Sequence, residues 1–218
     1  MGPVLIVVAV VALIVGIAVV AHRIEQKRIA AMGEAARVMG FTFQEKLDAA
    51  ALEGVVGELP LFQRGHSRKA TSVMTGETAA QRAVVMDYRY VTGSGKNSHT
   101  HNQTVVVFPD GGRDLPDFEA GPENVLHRLG QVFGYQDIDF EQDEEFSKRV
   151  LLRGEDEAAV RRVFTPDARA LLAGEERWSA QARGGKLAVF RAGKRCDPAA
   201  VPSHLATALR LHTALNRG

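Results

Sequence analysis

The sequence predicts an α+β protein: an N-terminal transmembrane helix followed by a mainly antiparallel β domain with flanking helices. Three observations carry this expectation. Residues 1–21, MGPVLIVVAVVALIVGIAVVA, hold no charged side chain, and 18 of the 21 are apolar. Between residues 58 and 109, β-branched and aromatic runs alternate with glycine turns, as in hairpin-connected strands. Beyond residue 155, apolar residues recur at helical spacing behind Asp, Thr and Pro start signals.

The apolar run from Pro3 to Ala21 is long enough, at about 28 Å as a helix, to match the hydrocarbon thickness of a bilayer. A helix satisfies its own backbone hydrogen bonds, which is the condition for crossing lipid. A cleaved signal peptide would carry a basic leader and a shorter apolar core, and a soluble core helix would show a polar face. The run has none of these features. Arg23, Lys27, Arg28 and Arg37 follow the span and no Lys or Arg precedes it, so the positive-inside rule expects a cytoplasmic C-terminal domain at the cell inner membrane, with the N-terminus outside. The expected division is a transmembrane helix over 1–21, a juxtamembrane helix over 22–40 and a soluble α+β domain over 41–218.

In the juxtamembrane helix, Ile24, Ala31, Ala35 and Val38 approximate one apolar face, and Gly40 is its stop. Phe41 and Phe43 alternate with polar neighbours as in a strand. Strands are then expected over 58–63, 68–75, 83–92 and 103–108. The run 104–108, TVVVF, is apolar enough to be buried on both faces. Along 84–90, Val84, Met86, Tyr88 and Tyr90 share one side, leaving Val85, Asp87 and Arg89 on a polar, wet side. Further strands are expected over 116–120 and 146–152, and a short helix over 123–132. Helices are expected over 155–164, 165–173 and 197–215, and a hairpin over 177–191 turning at Gly184 and Gly185.

A net charge of +1 argues against a nucleic-acid partner, and a single cysteine excludes an intramolecular disulfide or a cysteine-rich zinc site. The near-neutral total hides three blocks: +3 over 22–109, −9 over 110–158 and +7 over 159–218. The loop 93–97, GSGKN, resembles a phosphate-binding loop but lacks its first glycine, where Tyr90 stands, and its hydroxyl, where Asn97 stands. His99 and His101 share a strand face and begin a metal site that no nearby Cys or spaced carboxylate completes. The acidic run 137–145 lacks the glycine of a calcium loop, and its Ile138 and Phe140 alternate as core residues. The basic turn 64–69, RGHSRK, is suited to anionic headgroups or simply to water. Lys194 and Arg195 beside Cys196 are placed to lower its pKa, but no motif surrounds the cysteine and it reads as incidental.

Several stretches resemble, in order, a bacterial family of membrane-anchored proteins. They are GFTF at 40–43, ELPLFQRGHSRKATSVMTGE at 58–77, DYRYVTGSGKNSHTHNQTVVVF at 87–108, GYQDIDF at 134–140 and FSKRVLLRGEDEAAVRRVFTP at 146–166. The resemblance implies a bacterial source, an N-terminal span and a soluble domain. It carries no activity, catalytic residue or cofactor to this chain.

The expected function is a single-pass membrane protein whose cytoplasmic domain is a non-enzymatic binding or scaffolding module. Its partners would be the lipid bilayer, through residues 3–21, and a protein or anionic lipid headgroups. The alternatives are a membrane-anchored hydrolase or metal-dependent enzyme using His99, His101 and nearby carboxylates, and a small β-rich ligand-binding module such as a pleckstrin-like barrel closed by the final helix. No catalytic, cofactor or metal residue is assigned. A reporter fused to the C-terminus should be accessible from the cytoplasmic side alone; access only from outside would reverse the orientation.

Overall fold

The computed structural model describes residues 2–79, 81–123 and 137–217. It opens with one uninterrupted helix, α1 (Gly2–Val38). The stretch Ile6–Val38 has a mean hydropathy of 2.5 in its most apolar window, and none of that window is buried. By length and composition, α1 can cross a membrane.

The remainder builds an eight-stranded antiparallel sheet with helices on both faces. Its strands are β1 (Thr42–Lys46), β2 (His66–Glu77), β3 (Arg82–Thr92), β4 (His99–Gly112), β5 (Phe118–Pro122), β6 (Val150–Gly154), β7 (Ser179–Arg183) and β8 (Gly185–Phe190). They lie in the order β1-β2-β3-β4-β8-β7-β5-β6. The helices are α2 (Ala49–Val56), α3 (Pro60–Gln63), α4 (Glu144–Arg149), α5 (Glu157–Val163), α6 (Pro166–Ala173) and α7 (Val201–Leu215). The expected α+β class, with its long apolar N-terminal helix and antiparallel sheet, is therefore what the structure shows.

Each sheet face carries its own core, as the two-residue period of a strand dictates. On one face Val85, Val106, Phe108, Ala120, Leu152 and Val189 pack with Met32 of α1 and with Phe146, Phe164, Leu172 and Leu211 of the later helices. On the other, Val84, Met86, Tyr88, Tyr90, Val105 and Phe190 pack under Val56, Leu59, Leu61 and Phe62. Val105, Val106 and Val107 are buried on both faces, as expected of a central strand. β7 and β8 join through Gly184 and Gly185, whose φ values of 56° and 77° are those of a tight hairpin turn that side chains disfavour.

Four expectations are corrected. Residues 58–63 are not a strand: Pro60 occupies the first turn of α3, and Leu59, Leu61 and Phe62 all pack on one sheet face, which strand alternation forbids. Residues 146–149 are helical rather than extended, because Asp143 caps α4 by accepting from the Phe146 amide, and the strand starts only at Val150. The helix α2 was not expected; its signal is Asp48, which caps it through the Ala51 amide. On α1 the buried positions are Met32 and Ala36, while Ile24 is 63% and Val38 70% exposed. The helix expected over 123–132 lies, beyond Glu123, outside the described residues.

On α7, the His204 ring packs tilted against Trp178, with ring centroids 4.6 Å apart. Burial, aided by the nearby Arg191 charge, pushes its pKa from 6.5 down to about 4. The unfolded chain therefore takes up the proton first, so stability is complete above pH 6.5 and falls as the pH drops toward 4. The loss at pH 4 amounts to about 3 kcal/mol. Denaturant midpoints measured from pH 7 to pH 4 should fall, and His204→Leu should flatten the slope. Some slope should remain, because burial also lowers His212.

Candidate functional site

The most elaborate polar constellation joins α1 to the sheet. Past its apolar run, α1 turns Glu25, Arg28, Met32 and Ala36 to the protein at helical spacing, the first two part-buried and the last two fully. Arg28 grips Asp87 of β3 with both arms, Nε to Oδ2 at 2.8 Å and Nη2 to Oδ1 at 2.9 Å. Arg195, in the segment after β8, also reaches Asp87, donating from Nη2 at 3.0 Å and Nε at 3.3 Å. The same guanidinium forks onto Glu25, at 2.9 and 2.8 Å. Thr104 of β4 donates its hydroxyl to Asp87 at 2.7 Å and accepts the Cys196 amide at 2.8 Å.

Two carboxylates and two guanidinium groups thus form a locally neutral chain, Arg28–Asp87–Arg195–Glu25. Planar guanidinium forks suit this sharing, since each presents several fixed donors. Burial alone would depress Arg195, but its hydrogen bonds to Glu25 and the charge of Asp87 outweigh it and hold its pKa above the ordinary range. Asp87 is 4% exposed, so the polar side of β3 is not wet there, as its sequence suggests, but closed over by α1. The chain also explains the missed face of α1. Glu25 and Arg28 face inward because their charges are paired, which an apolar pattern does not register.

Cys196 lies under this clamp. Burial pushes its thiol pKa up, outweighing the pull of Arg28, which corrects the expectation that neighbouring cations lower it.

A second buried pair lies on the opposite face. Arg64 donates to Glu119 at 2.7 Å, Gln181 donates to the same oxygen at 2.9 Å, and the Leu61 amide donates back to Gln181 at 2.8 Å. Burial raises Glu119 against the pull of Arg64, and burial likewise lowers Arg64. Arg64 is 7% exposed, so within the basic turn 64–69 this residue faces the interior and not headgroups. It anchors α3 to β5 and β7.

The remaining candidates are dispersed. The loop 93–97 is the exposed tip of the β3–β4 hairpin, tightened by a 3₁₀ turn at Gly95–Asn97. His99 is exposed, whereas His101 stacks 4.6 Å from Tyr90 and hydrogen-bonds Thr92 Oγ1 at 2.9 Å. Among the described residues, no three His, Cys, Asp or Glu side chains come together to hold a metal ion. In the acidic run, Ile138 is buried, and Phe140 lies beneath the guanidinium groups of Arg161 and Arg169. Asp137 pairs with Arg153, and Asp143 with Arg169, each through a carboxylate oxygen.

Removing the central carboxylate leaves two part-buried cations without their partner. Asp87→Ala should therefore cost about 3–5 kcal/mol of stability, read as a lower denaturant midpoint of the detergent-solubilised chain.

No family model matches this chain, and no curated protein matches it. Among solved structures, it is similar to the mycobacterial trehalose monomycolate transport factor A, TtfA. The identity is 9% and the TM-score 0.59, over 86% of this chain and 93% of that one. At that identity the likeness shows a shared fold.

Proposed function

We propose that this chain is a single-pass membrane protein whose domain is a non-enzymatic binding or scaffolding module. In this reading residues 1–21 cross the inner membrane, 22–40 connect, and 41–218 form the cytoplasmic domain. The observation that carries the reading is the continuity of α1. One helix runs from an unburied apolar stretch into the Glu25–Arg195–Asp87–Arg28 clamp without a break. A tether that only tied the domain to lipid would need no such clamp. A clamp fixes how the domain faces the bilayer, which matters when a partner must be met in one orientation.

The basic residues after the apolar run support the cytoplasmic placement. The fold likeness to a protein named as a transport factor supports a non-enzymatic, membrane-associated role.

Fractionation tests the reading. The full chain should stay in the membrane pellet through alkaline carbonate, and deletion of residues 2–21 should release it. In membranes, Arg28→Ala with Arg195→Ala should keep the protein in the pellet while opening residues 22–40 to protease. Carbonate release of the full chain would overturn the span. Unchanged protection of 22–40 in the double variant would overturn the fixed orientation.

A further inference from the structure

We propose that a polar cleft beside the clamp binds the phosphate of an anionic lipid headgroup; this rests on the membrane-anchored reading above. The cleft, of about 400 Å³, lies between α1 and the ends of β2, β3 and β4. Its floor is a row of donors running across the sheet. Lys69 stands opposite Arg89 in the β2–β3 register, and Arg89 stands opposite Asn102 in the β3–β4 register. Thr100 adds a hydroxyl, and Glu25 and Arg195 form the wall.

Two features point to an anion. Lys69 and Arg89 are like charges directly opposite on neighbouring strands, an arrangement that costs stability unless an anion lies between them. Both are exposed, and among the described residues neither forms an ion pair. The nearby carboxylates do not relieve them. Both oxygens of Asp87 and of Glu25 are already occupied by Arg28 and Arg195. Counting the clamp, two carboxylates meet four cations, so the cleft keeps a surplus of two positive charges.

Its position selects a lipid source for the phosphate. Glu25 lines the cleft, and Ala21, the last residue of the apolar run, is four residues along the same helix, a rise of about 6 Å. The polar headgroup layer is about 5–8 Å deep on each side of the hydrocarbon. The cleft therefore opens at headgroup depth. A phosphodiester there can accept hydrogen bonds from Lys69, Arg89 and Asn102 while its acyl chains run beside α1.

Calorimetric titration of the full chain in neutral maltoside micelles tests this, with four probes: dihexanoyl phosphatidylglycerol, dihexanoyl phosphatidylcholine, inorganic phosphate and hexaglutamate. Phosphatidylglycerol should bind saturably and more tightly than the other three. Lys69→Gln with Arg89→Gln should weaken it about thirtyfold, the value of two headgroup-facing cations. Lys69→Arg should retain binding, as should Arg82→Gln at the other end of β3. The double variant should melt no lower than wild type, since it relieves a repulsion. Equal affinity in the double variant, or for phosphatidylcholine, would overturn the site. Tighter binding of inorganic phosphate would assign the cleft to a soluble anion, and tighter binding of hexaglutamate to an acidic protein; either overturns the headgroup. A chain that fails here but resists carbonate leaves the anchored reading intact, whereas carbonate release removes both.

Discussion

Asp87 must be neutralised where it lies. A carboxylate 4% exposed on the middle of a central strand is stable only if buried donors surround it. Here the donors come from three distant parts of the chain: Arg28 on the first helix, Thr104 on the neighbouring strand and Arg195 near the C-terminus. The requirement thereby sets where α1 lands on the sheet and where the segment after β8 returns. It also sets what lies underneath, since Cys196 is held by Thr104, and Thr104 by the Lys194 carbonyl. Buried ion pairs are weak sources of net stability compared with apolar packing, because desolvation consumes most of the Coulombic gain. Their sharper effect is on register. An apolar helix face can slide or roll by a residue at modest cost, whereas a two-armed guanidinium grip cannot.

This explains which parts of the architecture are legible in the sequence. The run 104–108 reads as a strand buried on both sides because its apolarity is local and continuous, and the structure places it at the sheet's centre. The paired glycines at 184 and 185 read as a turn because their positive φ is a local backbone requirement. The inward face of α1 was not legible. Its decisive contacts join residues 59 and 170 positions apart, and they make polar residues behave as core. The same holds for Arg64, which looks like part of a solvated basic turn and is buried against Glu119, 55 positions away. Short helices such as α3 and α4 are hard to read from sequence for another reason: at one turn, helical and strand periods both fit, and a single proline or capping aspartate decides.

The charge blocks acquire a spatial meaning. Acidic 110–158 meets basic 159–218 in pairs such as Asp143–Arg169 at 2.7 Å and Asp117–Arg183 at 3.8 Å. Part of the alternation along the chain is therefore cancelled by folding. Among the described cations without an ion pair are Lys69 and Arg89, which stand opposite each other on β2 and β3 in a cleft that Glu25 of α1 also lines.

The unbroken helix α1 also has a mechanical consequence. From Ala21 to Val38 it extends about 26 Å, gripped by the sheet and stiff along its length. In a bilayer, a change in hydrocarbon thickness is met partly by helix tilt. If the apolar half spans lipid as proposed, its tilt is carried through the Arg28–Asp87–Arg195–Glu25 contacts to the domain. A tilt of about 10° would swing the far end of the helix through roughly 4–5 Å. In a chain anchored as proposed, the domain would turn with the helix and change the angle at which its surface meets its neighbours.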